Sequence, residues 1–325
     1  MQEQPNQDVA EVPAPAVAKP VRAKKRFWGQ APKSAVGRQQ ERLGWLLIFP
    51  SVLVVLAVAI YPLIMSFRWS FTNYRASRPD NWKYVGFDNY RDLFADEVFL
   101  KAISNTVKFT VVAVSLETIL GMVIALAIHS NFRGRGLVRT SMLVPWAIPT
   151  VVSSLLWTWM LNDNYGIINA LLVNMGFESF QGFPWTVRPS TALWSVVAVD
   201  VWKTTPFMAL LILAGLQIIP SDVYEASTVD GASKWQQFWQ MTLPLLKPTL
   251  VVALIFRTMA TFMVFDMIFV IQGTATKTIS LAVFTFQEVS AKQRIGYGSA
   301  SAVIIFLCIA VMVLGYARLL KLEDD

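Results

Sequence analysis

Three stretches of the chain carry no charged residue over 22 or more positions: Leu43–Phe67, Thr140–Leu161 and Ile295–Ala317. No other feature limits the fold as sharply. A helix rises about 1.5 Å per residue, so roughly 20 apolar residues cross a bilayer core. Each stretch therefore predicts a transmembrane helix, with spans at about 43–67, 138–161 and 295–317. Three further spans carry charges within them. They lie at about 103–129, with Lys108 and Glu117; at 190–219, with Asp200 and Lys203; and at 248–272, with Arg257 and Asp266. The expected fold is an all-α membrane protein with six transmembrane helices. The alternating segments of ~10 residues that mark a β-barrel are absent.

Composition supports this reading, because 55% of the 325 residues are hydrophobic and only 15% charged, against about 25% in soluble domains. Residues 1–42 read as a disordered basic tail holding eight Lys or Arg. A cleavable signal peptide would have a shorter apolar core, so the first span is expected to be an uncleaved anchor. The tail, the linkers after spans two and four and the segment after span six carry fifteen Lys and Arg; the opposite loops carry ten. That bias predicts both termini, including the short tail 321–325, on the cytoplasmic side. No folded basic domain suggests nucleic acid. Cys308 and His129 are the chain's single cysteine and histidine. They exclude an intrachain disulfide and offer no metal cluster, and His129 reads as an interfacial helix-end residue.

A polar island, EASTVDGASKWQQFWQMTLPLLKP, interrupts the apolar pattern between spans four and five. Ser221 reads as the N-cap of a short helix, and Gly231 can end it in the left-handed conformation. Ser233 with Gln236 forms a capping box for a second short helix, predicted to run to about Met241. Pro244 and Pro248 punctuate the return to span five. The island also holds Tyr224, Val229, Trp235, Phe238, Trp239 and Leu243, too many apolar groups for a solvated linker. It is either an interfacial hairpin on the headgroups or a knob for a soluble partner.

The same residues resemble the signature of permease subunits in binding-protein-dependent ABC importers: Glu-Ala-Ala, three residues, Gly, nine residues, Ile, one residue, Leu-Pro. The chain has Glu225-Ala226-Ser227, Gly231, Met241 and Leu243-Pro244 at that spacing. Ser and Met replace Ala and Ile. The resemblance implies a type I importer permease domain over 43–320, with 221–244 as a cytoplasmic coupling loop docked in an ATPase subunit. Glu225, Ala226, Asp230, Gly231, Trp235, Leu243 and Pro244 would carry that docking. Val85–Tyr90, Asn105-Thr106, the Arg133–Gly136 turn and Trp202–Met208 also resemble the maltose and trehalose branch, in a compact form without its added N-terminal helices.

Ionisable groups inside spans usually face a cavity or a partner. Spans two, four and five hold them, so these spans are expected to line the path. Asp200 and Lys203, one turn apart, could neutralise each other. By resemblance, Lys203, Thr204 and Phe207 are candidate sugar contacts. In span five Arg257, Thr261, Met263 and Asp266 recur at spacings of three to five residues. There Asp266 could accept sugar hydroxyls or pair with Arg257. Glu117 has no partner legible in the sequence.

No phosphate loop of the GxxxxGK[ST] type is present, so ATP and Mg would be used by separate ATPase subunits, and this chain is no enzyme and binds no cofactor itself. The resemblance implies a heterodimer with a second permease, two ATPase subunits and an extracytoplasmic solute-binding protein. The cargo it implies is a sugar, with trehalose or maltose foremost. Glycerol-3-phosphate or another polyol is the alternative, with Lys203 and Arg257 meeting the phosphate. An ion-coupled secondary transporter and a membrane-embedded enzyme or sensor are the other classes weighed.

Overall fold

Proline placement explains where the predicted helices bend and where they continue. The computed structural model describes residues 35–130 and 132–321, with side chains described within 41–318. Most of the expected tail, and residues 322–325, lie outside the described residues. The first helix already begins at Ala35, inside the segment read as tail. One isolated bridge, Thr72 to Tyr84, is the β contact among the described residues.

The chain forms two compact units, one ending at Ala59 and one beginning at Ile60. The first holds the helix Ala35–Val55, and none of its described side chains is buried. From Leu43 on this helix is apolar all round, and such a surface belongs in lipid or against a partner. The second unit holds the rest of the fold. Span two is Glu97–His129, span four Ala192–Leu216, and span six Ile295–Lys321. Spans two and four make the most extensive helix contact. A Cβ on Gly121 would lie 2.8 Å from Met208 Cγ, so only glycine permits that approach.

Span three departs from the expected single helix over 138–161. It comprises Arg135–Met142, Val144–Ala147 and Thr150–Met160, and the two halves meet at 87°. Ile148 is extended because it precedes Pro149, and a residue before proline is pushed out of the helical region. Counting this pair as one span gives six, matching the expected number. Span five departs the other way. Pro244 and Pro248 do not separate the island's second helix from the span, and one helical run extends from Lys234 to Phe262. Pro244 follows directly on the π turn Phe238–Thr242, a local change of helical pitch at the point where its N–H is missing. A break at Met263–Phe265 precedes a last turn pair, Asp266–Gln272.

The motif residues near the spans' other ends act as ties. Asn105 donates to the carbonyls of Lys277 and Ile279, both at 3.1 Å, and Thr106 accepts from the Leu281 N–H at 2.9 Å. Asn89 donates to the carbonyls of Ser70 and Thr72, both at 2.8 Å. Gly86, at φ +57, makes the preceding turn. Two apolar cores result. One contains Phe109, Val196, Ile268 and Phe284; the other contains Ala125, Met208, Ile212 and Leu246.

Candidate functional site

Glu117, Asp200 and Arg257, from spans two, four and five, meet between these two cores. Glu117 is wholly buried, and its carboxylate takes a two-pronged contact from Arg257. Nε lies 2.6 Å from Oε2 and Nη2 lies 2.7 Å from Oε1. Such fork-to-fork pairs are the strong class of charged hydrogen bond. Arg257 Nη2 also reaches Asp200 Oδ2 at 3.3 Å and the Thr204 hydroxyl at 3.1 Å. The Thr204 hydroxyl lies 2.6 Å from Glu117 Oε1 and 2.5 Å from the Asp200 carbonyl. One guanidinium thus ties three helices together.

Three sequence expectations are corrected here. Glu117 has a partner, 140 residues away in span five, so no local spacing could show it. Arg257 turns to Glu117 and Asp200, and Asp266 stays exposed beside the break in span five. Asp200 and Lys203 do not form an ion pair with each other. Lys203 Nζ instead donates to the backbone carbonyls of Ile148, at 2.5 Å, and Trp146, at 3.3 Å. A bent helix end leaves carbonyls without helical partners, and these attract the ammonium more directly than a carboxylate one turn away.

The other proposed path residues are placed as follows. Phe207 is half-buried and stacks on Trp146, with ring centres 5.6 Å apart and planes 13° apart. Met263 is exposed. The buried hydroxyls of Thr205 and Thr261 have no protein partner. Trp146 and Ile148 were not singled out in the sequence; the signal that could have found the elbow presenting their carbonyls is Pro149, which forces Ile148 out of the helical region.

The island is built as two capped helices. Gly231 has φ +80 and follows Ser221–Val229. The capping box of Ser233 and Gln236 is present. Ser221, expected as the N-cap, is instead the first helical residue, with Pro220 in the cap position and no side-chain cap bond. The second helix passes through a π turn, Phe238–Thr242, rather than ending at Met241. Side chains bolt the two helices together: Tyr224 to Thr242 at 3.1 Å and Gln237 to Thr228 at 3.0 Å. Glu225, Ala226, Asp230, Gly231 and Pro244 are exposed, and Leu243 is half-buried. Val229, Trp235 and Trp239 are exposed, Val229 by 88%, whereas Tyr224, Phe238 and Leu243 are half-buried, so half of the apolar groups noted in the sequence point outward. A cavity of about 970 Å³ runs beside them, walled by Met122, Leu126, Phe238 and Leu243, with His129 at its edge.

Bent and continuous spans, a three-helix charge cluster and an exposed two-helix island define a multi-pass helical membrane permease. The chain belongs to the family described as the inner membrane component of binding-protein-dependent transport systems, which matches residues 117–322. It is 40% identical over 291 residues to the trehalose/maltose transport system permease protein MalF of Thermococcus litoralis, covering 88% of this chain and 96% of that one. It is 36% identical over 281 residues to the trehalose transport system permease protein SugA of Mycobacterium tuberculosis, covering 86% and 89%. In fold it is similar to a chain of a bacterial ABC transporter involved in import of the acidic polysaccharide alginate. There the TM-score is 0.76 and the identity 22%, over 88% of this chain and 98% of that one. As a family member the chain is a transport component and not an enzyme, which sets aside the enzyme and ion-coupled carrier alternatives.

Proposed function

We propose that the chain is the permease subunit of an ATP-driven importer for a neutral disaccharide, with trehalose or maltose foremost. The observation that carries this reading is the 40% identity, over nearly its whole length, to a trehalose/maltose permease. The charge cluster supports it against a phosphorylated polyol. Both candidate phosphate partners are committed elsewhere, Arg257 to Glu117 and Asp200, Lys203 to two carbonyls. What spans four and five leave accessible suits hydroxyl groups: the exposed Asp266 carboxylate and the half-exposed ring of Phe207. A carboxylate can accept from two sugar hydroxyls, and an apolar sugar face stacks on a ring.

The exposed island is the docking element in this reading. Glu225, Ala226, Asp230, Gly231, Trp235, Leu243 and Pro244 meet a separate ATPase subunit on the cytoplasmic side, where both termini also lie. ATP and Mg are used there. A second permease subunit, in a heterodimer, and a solute-binding protein complete the transporter. Closure of the ATPases moves the island, and span five carries that motion without a break from Lys234 to Phe262. The test is reconstitution of the co-purified complex with its binding protein, followed by ATPase stimulation across a sugar panel. Stimulation by glucose disaccharides is expected. No response to any of them overturns the cargo assignment.

A further inference from the structure

Lys203 lies at the middle of span four, and its ammonium faces backbone rather than the carboxylate one turn before it. Its two acceptors, the carbonyls of Trp146 and Ile148, lie on the N-terminal side of the 87° elbow of span three, one in the last helical turn and one at the start of the break. The bend turns these oxygens sideways, out of the ladder that a straight helix would continue. Two carbonyl dipoles then aim their negative ends at one point inside the membrane. In lipid each such group must be satisfied within the protein. Unwound carbonyls at helix breaks are also where membrane proteins hold monovalent cations.

The charges beside Lys203 are already paired among themselves: Glu117 with Arg257, and Asp200 at 3.3 Å from the same guanidinium. Lys203, three residues after Asp200 on the same helix, keeps to the backbone carbonyls. Phe207, one turn further on, stacks on Trp146 at the same elbow.

We propose that the elbow of span three is a monovalent-cation site, and that Lys203 is its built-in occupant. The tethered ammonium holds the bend, so the chain needs no free ion there. When the side chain is shortened, sodium, potassium or a small primary ammonium takes the vacated place. The two backbone carbonyls carry this assignment, which holds whatever the cargo is.

The test uses the full-length chain in its assembled complex, carrying Lys203→Ala. Thermal unfolding is followed in chloride salts of sodium, potassium, ethylammonium and tetramethylammonium at equal ionic strength. Tetramethylammonium has the charge but no N–H, and its methyl groups keep the charge from approaching the carbonyls as closely as the Lys203 ammonium does. The variant is expected to melt lower than wild type in tetramethylammonium. Its Tm should recover saturably by about 3 °C in the other three salts, while wild type shows no such difference. ATP-driven uptake should recover in parallel. Lys203→Gln keeps donors without charge, and the same response at smaller amplitude is expected. A flat salt series in both variants, or wild-type stability of Lys203→Ala in tetramethylammonium, overturns the proposal. Failure of both variants to assemble, even from potassium-rich cells, overturns it as well.

Discussion

The charge cluster and the island are polar regions built on opposite principles. In the cluster, ionic groups are buried and turned inward. Glu117 is wholly buried, and Arg257 is committed to it by two bonds. In the island, apolar groups are exposed and turned outward: Val229, Trp235 and Trp239. A buried charge must find its partners within the fold, because removing one leaves the other unsolvated. An exposed aromatic on a bolted frame makes sense only with a partner outside it. The cluster therefore holds the spans of this chain together, while the island is shaped for another protein.

The contrast is sharpest at Arg257. Replacing it by Met orphans Glu117 beside Asp200, and the expected loss is about 3–5 kcal/mol. Thermal unfolding of the assembled complex should show it as a drop of many degrees. The double variant Glu117→Leu with Arg257→Met should recover a large part, because no unpaired charge remains at that pair. If the double variant melts as low as the single one, the cluster is not the coupled unit described here.

A second, smaller loss is expected at Gly121. A side chain there meets Met208 Cγ at 2.8 Å and the Ala209 backbone nitrogen at 3.1 Å. Methionine can shift but backbone cannot, so Gly121→Leu should cost about 1–3 kcal/mol by overpacking. Unchanged stability would mean that spans two and four are not held at this distance.

These two regions were unequally legible in the sequence. The island's Gly231, its capping box and its exposed aromatics could be read locally, because each signal spans only a few residues. The cluster could be suspected from charges inside spans but not paired. Its partners lie 57 and 140 residues apart, and spacing along one helix suggested Asp200 with Lys203 and Arg257 with Asp266 instead. Prolines misled in both directions. Pro149 bends span three because Ile148 before it becomes extended, whereas Pro244 follows the π turn Phe238–Thr242 and leaves the helical run intact. The backbone just before a proline decides its effect, and that backbone was not evident from the sequence.

Glu225 tests the outward half of the comparison. It is exposed, and its removal disturbs no bond within the chain among the described residues. Glu225→Ala should leave the Tm of the isolated permease unchanged. ATP-driven uptake should fall at least tenfold, about 1.4 kcal/mol of coupling. Unchanged uptake refutes the docking role.

The smallest effect separates the island's frame from its contact surface. Ser233 caps the second helix, with its backbone N–H donating to Gln236 Oε1 at 2.8 Å and its hydroxyl accepting from the Gln236 N–H at 3.3 Å. Ser233→Ala removes one half of that box and should cost about 1 kcal/mol locally. The bolts from Gln237 to Thr228 and from Tyr224 to Thr242 remain, so the island should fray at Lys234–Gln237 rather than unfold. Amide hydrogen exchange should quicken there by about fivefold, with no change at Glu117 or Arg257. Uptake should fall by less than in Glu225→Ala, because the docking side chains are still present and only their support is looser. A loss as large as that of Glu225→Ala would place the docking free energy in the island's rigidity instead of its exposed groups.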